Sequence, residues 1–123
     1  MYVFDAKLTK DDEHDVVVLE IQGNFSLDEK SKVDPLVAEA VECGCRGIVL
    51  DLTAISFMDS AGMMVVLSIY NKFTKAGMAM TCATAGNRYA EQKIQEIGLL
   101  RVPKFEAFES VEEAKRALSR SRA

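Results

Sequence analysis

Few residues in this 123-residue chain are placed to do chemistry, and the most informative pair is adjacent: Asp59 and Ser60. They stand within residues 47–71, GIVLDLTAISFMDSAGMMVVLSIYN, where an aliphatic strand gives way to a short polar turn and then a long apolar helix. In open α/β sheets, sites gather outside the carboxyl ends of strands, where helix N-termini also point. Asp and Ser are favoured N-caps, so one of the two is expected to accept a first-turn N–H. A serine in that place is also a good phosphoacceptor. First-turn amides can hold a phosphate, which brings roughly −1.5 to −2 charge.

The remaining reactive side chains make weaker cases. Asp51 and Asp59 suggest an acid pair, but no nucleophile–base set accompanies them, and the sole histidine, His14, is remote in sequence. The chain is therefore not expected to be an enzyme. Cys43, Cys45 and Cys82 lack the four spaced ligands of a zinc site, so they are expected to be small apolar residues in a reducing compartment. His14, in the charged turn DDEHD, is expected to be solvated. A phosphoacceptor aspartate at a strand end, with Asp51 as candidate, would need an acidic pair after the first strand. Asp11, Asp12 and Glu13 instead join two antiparallel strands. Gly86, Asn87 and Arg88 open a helix, which by itself is a turn rather than a nucleotide site.

Composition narrows the partners. A net charge of −4 with no clustered basic surface argues against nucleic acid. The basic residues Lys115, Arg116, Arg120 and Arg122 read as a frayed helix end, where cations suit the helix dipole. No run of about 18 apolar residues is present, so no direct membrane insertion is expected. The N-terminus has no apolar signal region, and the protein is expected to be cytoplasmic. With 49% hydrophobic and 28% charged residues, residues 1–123 fit one domain.

The elements that must hold the turn follow from periodicity. Residues 2–8 alternate and 16–22 form a β-branched run ending at Gly23, giving an antiparallel hairpin. Ser26 and Glu29 fit a capping box that can start a helical turn, and Asp34-Pro35 fits another helix start, so the first main helix is placed at about 35–43, with room for one preceding turn and Gly44 as its C-terminal cap. Residues 48–52 read as a strand covered on both faces. A helix is expected at 61–76, a strand at 78–83, a helix at 88–97 with Tyr89, Ile94 and Ile97 apolar, a strand at 105–108 and a final helix capped at Ser110. In that last helix Val111, Ala114 and Leu118 face inward. The order β-β-α-β-α-β-α-β-α implies an α/β fold: a mixed, mostly parallel sheet of about five strands with about four helices.

The helix after Ser60 is unusually apolar. Gly62, Val66, Ile69, Tyr70 and Phe73 form its broad apolar face, and Ser68, Asn71, Lys72 and Lys75 its polar one. Met64 falls on the polar side near Ser60, flanked by Met63 and Leu67. An adaptable methionine surface beside a hydroxyl suggests protein docking; the other reading is that a neighbouring loop covers Met64.

The segment IVLDLTAISFMDSAGMMVVLSIYNKF resembles the signature of STAS domains, specifically the anti-sigma factor antagonists. The likeness extends to the hairpin ending at Gly23, to NRYAEQKIQEIGL and to the closing ESVEEAKRAL. It implies a STAS-like fold and a role in partner switching, with no cofactor of its own. Ser60 would be phosphorylated by an anti-sigma factor that is itself a serine kinase using ATP. The unphosphorylated protein would bind that kinase and free a sigma factor, and a phosphatase would reset it. Asp59 would help position the partner or the hydroxyl, with Ala61, Gly62, Met63, Met64 and Leu67 in the docking surface. Where relatives often carry Gly-Glu-Leu-Asp, this chain has Gly23-Asn24-Phe25-Ser26; that loop often contributes to the partner surface, which adds Asn24 and Phe25. STAS-like domains also serve as non-phosphorylated scaffolds in stress-signalling assemblies or as soluble subunits of membrane transporters.

Overall fold

The computed structural model describes residues 4–98 and 107–120. The elements are β1 (Asp5–Asp11), β2 (Val16–Phe25), a 3-10 turn (Leu27–Glu29), α1 (Lys30–Glu42), β3 (Gly47–Asp51), β4 (Ile55–Met58), α2 (Ser60–Lys75), β5 (Ala79–Ala83), α3 (Arg88–Ile97), β6 (Ala107–Phe108) and α4 (Val111–Arg120). The sheet runs β1-β2-β3-β5-β6, with β4 attached to β2. Among the described residues, only the β1–β2 pair is antiparallel; the other pairs are parallel. The α/β expectation holds, with six strands among the described residues in place of about five.

Strand alternation divides the core in two. Val17, Leu19, Ile21, Ile48, Leu50, Met80 and Cys82 point into the larger core, which α1, α2 and α3 supply with Val33, Val37, Val66, Phe73 and Ile94. Val16, Val49 and Ala83 pack with Ala114 and Leu118 of α4 in a smaller cluster. Successive side chains point to opposite faces, so both faces of the central strands are covered. All five residues of β3 are accordingly buried.

β2 is long because, besides β1, it serves two parallel partners. Its first half, Val16 to Glu20, pairs with β3. Its end, Gly23 to Phe25, pairs with β4 across a register shift between Gly23 and Asn24. Gly23 takes φ 81 there, and its N–H donates to the Ala54 carbonyl at 3.0 Å. A bulge of this kind bends and re-aims a strand. The expected end of β2 at Gly23 and the expected plain turn before Asp59 are thus both corrected: β2 runs on two residues and β4 fills the turn.

Three further expectations are corrected. Helix α1 starts at Lys30, five residues before Pro35, and Asp34 is not its N-cap. Asp34 instead accepts from Lys30 Nζ at 2.6 Å across one turn. Pro35 lies on the exposed side, where water can take the carbonyl that its ring leaves without an N–H. His14 is half-buried rather than freely solvated: its backbone N–H donates to Asp11 Oδ1 at 3.1 Å, and its Nδ1 stands 3.1 Å from Asp11 Oδ2. Lys115 is no frayed cation; its Nζ is 2.9 Å from Asp11 Oδ2, which joins α4 to the β1–β2 turn.

The other caps follow the expected chemistry. Gly44, at φ 70, follows α1; Asn87 caps α3; Gly98, at φ 85, ends it; and Ser110 Oγ accepts from Glu113 N at 3.1 Å. The thiols of Cys45 and Cys82 are buried, and all three cysteines are free. Burial is the main cause pushing the Cys45 and Cys82 thiols up to about 12. Among the described residues, no helix is long and apolar enough to cross a membrane. Residues 2 and 3, 105 and 106, and Arg122 lie outside the described residues, as do the side chains of Ile97 and Arg120.

Candidate functional site

The site is built where β4 hands over to α2. Asp59, in extended conformation, is the N-cap of α2, and Ser60 is the first helical residue. The Asp59 carboxylate accepts from Gly62 N at 2.7 Å, and its carbonyl accepts from Met63 N at 2.9 Å. The two adjacent residues therefore divide the work: Asp59 satisfies the helix end, and the Ser60 hydroxyl is left exposed at the surface. Helix geometry leaves first-turn N–H groups without intrahelical acceptors, so the positive end of the α2 dipole lies at this serine.

The end of β2 supports the joint from beneath. Asp59 N donates to the Phe25 carbonyl at 3.4 Å. Gly62 is buried against the same carbonyl, and a Cβ there would collide with it and meet Met58 Cγ at 3.0 Å. Phe25 is fully buried and stacks on Phe4 with ring centroids 5.8 Å apart. The expected surface roles of Phe25 and Gly62 are corrected accordingly: both shape the site from within the core. Asn24 is half-buried, and its Oδ1 is enclosed without a hydrogen-bond partner among the described residues.

Above this support lies an apolar surface. Met64 is 63% exposed and Phe57 44%, the two large hydrophobic side chains most open to solvent among the described residues. No loop of the described chain covers Met64. Met63 and Leu67 are half-buried against the larger core, and Ala61 is half-buried. Val65, Val66, Ile69 and Phe73 anchor the opposite side of α2, while Tyr70 is half-buried.

Three contributors were not anticipated from sequence. Phe57 stacks on Tyr89, with centroids 6.4 Å apart and an interplanar angle of 23°. The Tyr89 hydroxyl accepts from Met58 N at 2.8 Å and donates to Met58 O at 3.2 Å. Asn87 Nδ2 donates to the carbonyls of Thr53 at 3.1 Å and Ile55 at 2.9 Å. The adjacency of Phe57 to the motif was the available signal for the first. Tyr89 reads as merely apolar until its hydroxyl is given a partner.

Asp51 is buried and accepts from Thr53 N at 3.0 Å, a turn-forming role within the β3–β4 connection. Asp11, Glu13 and His14 are the one group of three metal-type ligands close together among the described residues. Lys115 and His14 already occupy the Asp11 carboxylate, so this cluster is an ion-pair node.

Residues 7–114 match the STAS domain family. An anti-sigma factor antagonist from Mycobacterium paratuberculosis has a similar structure, with TM-score 0.79, 19% identity and 94% of each chain covered. Moorella thermoacetica RsbS, in a substituted form, gives TM-score 0.74 at 18% identity, covering 94% of this chain and 97% of that one. The Bacillus cell fate determinant SpoIIAA in its phosphorylated form gives TM-score 0.62 at 17% identity, covering 94% and 99%. At these identities the likeness establishes the fold; with the family match over most of the chain, the protein belongs to the STAS domain family.

Proposed function

We propose that this protein is an anti-sigma factor antagonist, working in the cytoplasm by partner switching and turned off by phosphorylation of Ser60. One observation carries the reading: an exposed serine opens α2 behind an aspartate cap, with solvent-exposed Met64 four residues on. The unphosphorylated face binds an anti-sigma factor that is a serine kinase, and so frees the sigma factor. Phosphate on Ser60 keeps favourable contact with the helix N-terminus. It also places up to two charges beside the Asp59 carboxylate and within an apolar contact surface, where burying them in the complex is costly. A penalty of about 3 kcal/mol lowers affinity roughly a hundredfold, enough to release the partner. A phosphatase restores the binding form.

The test incubates the protein with the serine-kinase anti-sigma factor of the same genome and ATP, and maps phosphate by mass spectrometry. Modification at Ser60, with weakened kinase binding by Ser60→Asp, is the expected result. An unmodified Ser60, or unchanged binding by Ser60→Asp, would overturn the reading. Co-purification with transporter subunits in place of a kinase would favour a non-phosphorylated scaffold.

A further inference from the structure

Among the described residues, the strand that delivers Asp59 and Ser60 has only one strand neighbour. β4 pairs with β2, and its other edge meets α3. An unpaired strand edge leaves N–H and C=O groups that need partners. Here the first turn of α3 supplies them from side chains. The Tyr89 hydroxyl bonds both the N–H and the C=O of Met58, at 2.8 and 3.2 Å, as a neighbouring strand would. Asn87 caps α3 through its Oδ1, which accepts from Ala90 N at 3.1 Å. Its Nδ2 meanwhile donates to the carbonyls of Thr53 and Ile55 at the start of the same segment. One helix end thus grips both ends of β4.

The Tyr89 ring is itself fixed. Phe57 stacks on it at 6.4 Å, and Lys93 Nζ stands 5.3 Å from its centroid. The hydroxyl is therefore held at Met58, which is covalently one residue from the cap of α2 and two from Ser60.

We infer that Tyr89 is a positioning residue for Ser60, acting as a side-chain surrogate for a missing strand and coupling α3 to the phosphoacceptor. This rests on the switch reading for its functional consequence, but not for its structural one. The half-buried hydroxyl leaves the docking side chains Phe57 and Met64 in place when it is removed. Its loss therefore loosens the presentation of Ser60 without removing the partner's footholds.

Tyr89→Phe removes only the hydroxyl and keeps the ring stack. In the full-length protein, amide exchange at Met58 and Asp59 is expected to rise about fivefold, the scale of one net hydrogen bond. The β3 amides, in the sheet centre, are expected to exchange as in the parent. With the serine-kinase anti-sigma factor and ATP, kcat for Ser60 phosphorylation is expected to fall several-fold, with KM within about twofold. Unchanged exchange at Met58, or a uniform rise across the whole sheet, overturns the inference, the latter marking a general loss of stability. A rise in KM with kcat unaltered also overturns it, since the hydroxyl would then serve docking. If the unsubstituted protein is not phosphorylated, the switch reading fails alone, and local exchange still decides whether Tyr89 positions the joint.

Discussion

Gly62 lies so close to the Phe25 carbonyl that no side chain fits between them. This contact sets how far α2 can sink onto the end of β2, and so where Ser60 emerges. The obstruction is backbone rather than the tip of a flexible side chain, so it cannot swing aside. Gly62→Ala is expected to lose about 1–3 kcal/mol of stability through forced displacement, despite alanine's better helix propensity. Denaturant unfolding measures the loss. A more stable alanine variant would mean that α2 lifts freely from β2.

The Asp59 cap is open to a graded test. Asp59→Ala removes the acceptor of the Gly62 N–H and is expected to cost about 1 kcal/mol. Asp59→Asn keeps a good cap and is expected to lie within a few tenths of a kcal/mol of the parent. If the two variants were equally destabilised in urea, the charge rather than the cap would be responsible, through its interaction with the helix dipole.

Much of this joint was legible in the sequence, for identifiable reasons. The α2 faces follow from helical periodicity, and Asp59 and Ser60 from capping preference, because both are local rules. Strand β4 was hidden because its burial pattern is buried-exposed-exposed-buried rather than alternating. Its ends, Ile55 and Met58, are drawn inward, while Phe57 is held out by Tyr89. The early start of α1 was hidden by Pro35, which reads as a first-turn residue although the exposed side of a helix also accommodates it. The burial of Phe25 was hidden because the bulge at Gly23 and Asn24 turns the end of β2 inward. The β4 and Phe25 misses involve contact between segments distant in sequence, on which local patterning is silent.

The exposed apolar side chains separate docking from folding. Met64→Glu places a charge on a 63% exposed position, so thermal stability is expected to change little. Kinase binding is expected to weaken at least tenfold, since apolar anchors at an interface centre carry much of its energy. Phe57→Ala should weaken binding similarly, and also cost about 1 kcal/mol of stability from its lost stacking on Tyr89. Calorimetric titration against the serine-kinase anti-sigma factor measures both. Parent-like affinity in the two variants would move the partner surface elsewhere on the molecule.

Acid sensitivity should trace to the node joining α4 to the hairpin turn. The hydrogen-bonded Lys115 ammonium, aided by the His14 amide and ring, holds the Asp11 carboxyl down at about 2, against partial desolvation. The folded value lies below the ordinary carboxylate value, so the charged form favours the native state. That stability is fully present above about pH 4 and is lost as pH falls through about 2. Because the group is partly open to solvent, its contribution is about 1 kcal/mol. Asp11→Asn is therefore expected to unfold more easily than the parent at pH 7 by about that amount, with the gap closing between pH 4 and 2. Urea titrations at stepped pH follow the two curves. Curves that stay parallel down to pH 2 would show that the Asp11 charge contributes nothing and that α4 is held by Ala114 and Leu118 alone.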